Sequence, residues 1–261
     1  MSLNLPATIG ALLFAALTTN IEAQENNPPS ALDRALTAID ARRNGRDTPS
    51  AELEDQCRAL LRSYLEPRDA ARIYYQLVLV YSQDGLRTPE RCIEFSLLAL
   101  AQPLEAQERA NVHVALSYAE EVHAMRSSPS REMDADACRG ALEQCWKGLI
   151  PLLDPTLPDQ ATAVPPLDEF LRRESAGEAP GESVSTEAVI RAQDQRALAV
   201  KEFRRIRDLI EARQHLIERC SHFLDLAGAK RAELEGAAAA VLGSIAHARY
   251  AAFLKAARNT R

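Results

Sequence analysis

Apolar and polar positions alternate along this chain with helical rather than strand spacing. In ALDRALTAIDARR, AELEDQCRALLRSYL and RIYYQLVLVYSQ the apolar residues recur every three or four positions, and runs alternating with period two are scarce. The punctuation agrees. Ser30 stands before the first of these runs with Asp33 three residues on, Ser50 before the second, and Thr88-Pro89-Glu90 combines a cap, a first-turn proline and an early acid. The pattern predicts helices of 12 to 20 residues joined by short turns. The exception is a helix opening at Thr186 and continuing to Leu226. Its seven-residue series runs Val189, Arg196, Phe203, Ile210, Ile217 and Leu224, with the companions Ala192, Ala199, Ile206, Arg213, Cys220 and Ala227. Two of these seam positions are arginine. Gly228 is the expected left-handed stop, and a last helix over roughly Lys230 to Arg258 completes a hairpin.

Between these parts the rhythm breaks. Residues 151 to 185 hold six prolines and two glycines among many acids, which reads as a linker. At the other end, residues 5 to 19 form an uncharged apolar run of 15, too short to span a bilayer, followed by Ile21-Glu22-Ala23 and a polar stretch. This predicts a secretory signal peptide over 1–23, cleaved after Ala23, and an exported, periplasmic or extracellular chain with no later membrane-spanning segment.

Three stretches repeat one another: DQCRALLRSYLEP, ERCIEFSLLALAQP and DACRGALEQCWKGLIPLLDP, which place Cys57, Cys92 and Cys138 in equivalent small-residue slots. Arg72 to Pro103 carries Tyr74, Leu77, Val78 and Tyr81 on a first helix, a turn at Gly85, then Cys92, Ser96, Ala99 and Pro103 on a second. It resembles a tetratricopeptide repeat, with Val78 and Ser96 in slots where that family usually has glycine and an aromatic residue. A second copy starts at Arg109, with Val114, Ala115 and Tyr118 in register, and resumes at Ala137 after the polar loop Met125 to Met133. The resemblance implies an all-α, TPR-like α-α solenoid of about three hairpins over residues 28–155, then the linker 156–185 and a long antiparallel hairpin over 186–258. It also implies protein or peptide binding on a concave face built from the first helix of each hairpin. Matching the copies puts Arg72, Tyr75, Leu79 and Ser82 on that face from one repeat, and Arg109, Val112 and Leu116 from the next. Arg72 and Arg109 would pair with carboxylates there, or with the nearby Asp69 and Glu105.

Composition narrows the function classes. With 31 basic against 37 acidic side chains and a net charge of -6, the chain lacks the positive excess of a nucleic-acid binder. The one dense basic run, Lys201 to Arg207, is followed by Asp208 and Glu211 and reads as a solvated helix face. The five cysteines contain no CxxC. Cys138 and Cys145, seven apart on one helix, are separated by about 10.5 Å along its axis, so any bridge joins different helices.

Glu211, His215, Glu218, Cys220 and His222 form the densest set of metal-type ligands, and Glu120 with His123 a lone three-apart pair. Exposed Glu/His pairs on an arginine-rich helix explain both, so no metal or cofactor is expected. No GxSxG, HExxH, P-loop or GxGxxG occurs, and Ser221-His222 has no acid partner placed by sequence, so no catalytic residue is expected. The resulting expectation is an exported scaffold or adaptor. The alternatives are a structural protein that self-associates through its C-terminal hairpin, and a metal-binding helical protein.

Overall fold

The computed structural model describes residues 30–45, 48–84, 87–159 and 186–259. The predicted signal peptide, most of the proline-rich linker and the turn at Gly85 lie outside them. The described chain is all-α: α1 (Ala31–Gly45), α2 (Ser50–Ser63), α3 (Pro67–Gln83), α4 (Pro89–Leu100), α5 (Ala106–Ser127), α6 (Ala135–Leu149), α7 (Thr186–Leu226), α8 (Arg231–Leu242) and α9 (Ser244–Asn259). Among the described residues none is long and apolar enough to cross a membrane.

Local chemistry sets most of the ends. The Ser30 and Asp33 side chains each accept the other's backbone N–H, at 3.0 and 2.9 Å, and open α1. Pro67 and Pro89 occupy first turns, where the missing N–H is not needed. Asp134 accepts the Ala137 N–H to start α6. At α5 the cap is Glu105 with Glu108, a box in which both carboxylates take backbone N–H groups. Ser50, expected as a cap, is instead the first helical residue of α2 and makes no capping bond.

Each helix packs on the next, and α1, α3, α5 and α7 also pack on one another in succession. The hairpins therefore stack. Two apolar cores result, and α5 is the wall between them. Val112, Ala115 and Ala119 face the first core, with Leu36, Leu77 and Phe95, while Ala110 and Val114 face the second. Burial on both sides explains why α5 lacks a clean polar stripe in the sequence.

The second core joins α5 and α6 to α7, α8 and α9 through Trp146, Leu216, Phe223, Leu234 and Tyr250. The C-terminal hairpin is thus not a unit apart: α7 spans the predicted Thr186 to Leu226 but packs along α5 and α6 as well as α9. Its return arm is also two helices rather than the single one expected. Gly243 has φ +74°, a left-handed conformation that ends α8, and the chain restarts at Ser244. Gly228 has the expected positive φ, +52°.

Arg213, a seam position by sequence, is 2% exposed. Its guanidinium donates to the carbonyls of Leu152, Pro158 and Asp159 and lies 4.4 Å from the Phe253 ring centroid. Arg249 takes the Leu153 and Leu157 carbonyls and the Asp159 carboxylate. Two arginines thereby hold the turn that follows α6, so Arg213 is compatible with a buried seam because the linker's first residues supply its acceptors.

Neighbouring helices press closely on Gly148. A Cβ there would lie 2.7 Å from His113 Cβ and 3.0 Å from Leu216 Cδ1, whereas one at Gly140 on the same helix meets nothing within 4 Å. Alanine gains about 0.5–1 kcal/mol of helix propensity at either site. At Gly148 the overlap with α5 and α7 outweighs that gain, so Gly148→Ala is expected to lose about 1–2 kcal/mol net. Gly140→Ala is expected to stabilise by a few tenths or more. Urea melts of both variants check this pair, and equal effects would contradict the three-helix contact.

Candidate functional site

The faces of α1, α3 and α5 that meet along the stack are joined by polar side chains. Arg72 donates to Asp33 at 2.5 Å, Gln76 to Asp40 at 2.5 Å, and Asn111 to the Tyr75 hydroxyl at 3.1 Å. On α7, Asp208 takes a hydrogen bond from Gln107 of α5. The Arg72 hydrogen bond, with that of Ser30, holds the Asp33 carboxyl at about 2. Arg72 also faces Glu108, whose burial raises its pKa above the usual carboxylate range.

At the centre is Arg43, which the sequence reading did not single out. Its side chain is 4% exposed and its Nη2 meets Asp40 at 2.6 Å, but Nε and Nη1 are buried with no hydrogen-bond partner. Desolvation lowers its pKa from the ordinary arginine value. A buried guanidinium with unmet donors is costly, and no described residue supplies the missing acceptors. No sequence signal sets it apart, because Arg42 and Arg43 look alike at the end of α1.

The seven residues assigned to this face by repeat matching separate into two groups. Arg72 and Tyr75 belong to the polar set just described, and Ser82 is half-buried, donating to the Leu79 carbonyl. Arg109 donates to the Leu100 and Gln102 carbonyls at 3.4 and 3.3 Å, where it closes the end of α4. Leu79, Val112 and Leu116 are 4%, 0% and 0% exposed, so the expectation that they line an open surface is corrected: they are interior side chains. The reason is that α5 is enclosed by neighbours on both sides, and that α3, which carries Leu79, packs on α1, α2, α4 and α5.

A second polar group bridges α5 and α7. Arg219, 8% exposed in its side chain, donates to Glu121 at 2.5 Å and to Ser117 Oγ and O at 3.2 Å. Its guanidinium lies 3.8 Å from the Tyr118 ring centroid and 4.5 Å from that of Phe223. Glu121 also holds His222 Nε2 at 2.8 Å. Ser221 Oγ is buried without a partner, so His222 has an acid but no attacking hydroxyl beside it, and no triad is assembled.

The other ligand-type residues are dispersed. Glu211 pairs with Arg207, Glu218 with Gln214, and His123 with Glu90, and Cys220 is interior. Among the described residues no cluster of three His, Cys, Asp or Glu could hold a metal ion. Cys57 and Cys92 are fully buried, and burial raises their thiols to about 12, so neither is a nucleophile near neutral pH.

Glu120 is more unusual. One carboxylate oxygen is buried and unpartnered, and burial raises its pKa to about 7 from an unfolded value near 4.5. The folded state therefore favours the protonated acid, and that contribution to stability disappears as pH rises from 4.5 through 7. His113 acts in the opposite sense. Burial lowers it to about 4 from 6.5, so its contribution is present above 6.5 and disappears as pH falls towards 4. Glu120→Gln is expected to match wild type at pH 5 and exceed it by about 1–2 kcal/mol at pH 8. Denaturant titrations at the two pH values measure the difference; a gain of the same size at both would contradict a raised Glu120.

A shallow hollow of about 390 Å³ lies elsewhere, at the break between α8 and α9, and its rim carries the exposed Ile150 and Ile245. No protein-family model, curated protein or solved structure matches the chain.

Proposed function

We propose that the protein is an exported helical-repeat scaffold or adaptor of TPR-like solenoid form. It binds a protein or peptide segment along the face shared by α1, α3 and α5 and carries out no chemistry of its own. The observation that supports this reading is Arg43: two buried guanidinium nitrogens, Nε and Nη1, without acceptors, beside Asp40 and Tyr75. With Arg72 also on α3, paired to Asp33 of α1, the face suits a segment bearing carboxylate or backbone carbonyl oxygens.

Because Arg43 is a desolvated charge with unmet donors, and its partner Asp40 is 39% exposed, Arg43→Met is expected to leave stability unchanged or raise it slightly. In a peptide-array screen, segments retained by the wild-type chain are expected to be rich in Asp and Glu. They should bind Arg43→Met/Arg72→Gln at least about tenfold more weakly, the size expected for charge-assisted hydrogen bonds. Circular dichroism establishes that the variant is folded. Unchanged retention by a folded variant would remove this face from consideration.

A second reading, self-association through the C-terminal helices, is favoured by Ile245 and Ile150, 75% and 47% exposed beside the hollow. Light scattering of the purified chain separates the two, since only the second requires a mass above that of one chain.

A further inference from the structure

We propose that Cys145 and Cys220 are a disulfide site that links α6 covalently to α7. The two thiols come from different helices that pack along each other, both are 0% exposed, and both are free in this structure. The two cysteines belong to one apolar core between α6 and α7, where the Cys220 thiol meets the Cys145 thiol and the Tyr250 hydroxyl. The other cysteines have different company: Cys57 faces Glu54, Cys92 faces Ser96, and Cys138 faces Asp134 and Glu121. Ten pairings of five cysteines are conceivable, and packing brings this one together.

A bridge here would close a loop of about 75 residues that includes the whole proline-rich linker, and long loops are where a cross-link most restricts the unfolded chain. Enclosure also sets the timing. With both sulfurs away from solvent, exchange takes place before the second core closes, and the finished bridge is shielded from reductants.

The oxidant is a small-molecule or protein disulfide, such as glutathione disulfide. One cysteine thiolate attacks it, forming a mixed disulfide and releasing one thiolate. The second cysteine thiolate then attacks the first cysteine's sulfur and releases the other. Both cysteine protons leave with the departing thiols, and two electrons pass from the pair to the oxidant, which ends as two thiols.

The test is refolding of the full chain in a glutathione redox buffer, then alkylation in denaturant without reduction. Trypsin isolates Cys145 in Gly140–Lys147 and Cys220 in Cys220–Lys230, each the sole cysteine of its peptide. Three alkylated cysteines and a cross-linked species of these two peptides are expected. Cys145→Ser should then show four alkylated cysteines, one more than wild type, because Cys220 is released. Five alkylated cysteines in the wild type, or a cross-link between any other pair, would overturn the proposal, and neither readout depends on how well the variant folds.

Discussion

Replacing Arg219 with methionine is expected to cost about 3–5 kcal/mol, the range seen when one member of a buried ion pair is removed. The side chains of Arg219 and Glu121 are 8% and 16% exposed, so deleting the guanidinium leaves a carboxylate in the α5–α7 interface with only His222 to balance it. Ser117 Oγ loses its donor at the same time, and the cation stacked on Tyr118 and Phe223 is gone. Most of the loss comes from the stranded Glu121 charge rather than from the missing contact. Arg219→Met combined with Glu121→Leu should therefore recover much of it. Urea unfolding of the two single variants and the double variant supplies the cycle, and additive losses would show that the pair is not coupled. Glu121 also gives the single variant a pH signature. In the native protein its partners hold the carboxyl below the usual value, a contribution present above the unfolded pKa and lost as pH falls through the folded one. Arg219→Met should flatten that acid limb.

Trp146→Ala is expected to cost a comparable 3–5 kcal/mol, as large-to-small changes in closed cores do. Trp146 is 0% exposed within the core shared by α6, α7 and α9, near Cys145, Cys220 and Tyr250. Its indole Nε1 lies against the Tyr250 hydroxyl, which also lies against the Cys220 thiol. Trp146→Phe gives up volume but keeps an aromatic ring in the core, so it should cost much less, about 1 kcal/mol. Trp146 is the only tryptophan, so the wild type can be followed by fluorescence but both variants need circular dichroism. If alanine and phenylalanine cost the same, the site is not the closed core described here.

Much of the helix layout was legible because its signals are local. Ser30 with Asp33, Pro89 and Gly228 act within a turn of the residues they organise, and the long apolar series from Val189 to Leu224 forecast a helix with the observed ends Thr186 and Leu226. Other local devices were present but ambiguous. Glu105 and Glu108 form a box that acids on a solvated face would equally suggest, and Gly243 sits among alanines that favour continuing the helix.

What packs against what was decided by tertiary structure. Arg213 reads as a flaw in a seam, and Arg219 as one more charge on an arginine-rich helix. They are buried because acceptors reach them from Leu152, Pro158 and Asp159 in one case and from Ser117 and Glu121 in the other, between 54 and 102 positions away in the chain. Leu79, Val112 and Leu116 read as a binding face and are interior, since period alone cannot show that a helix has neighbours on both sides. Arg43 was invisible for the same reason: a guanidinium reveals missing partners only when the surrounding helices have excluded water from it. Capping and turn chemistry act over three or four residues and can be read along the chain, whereas burial and charge pairing depend on which distant helices come together.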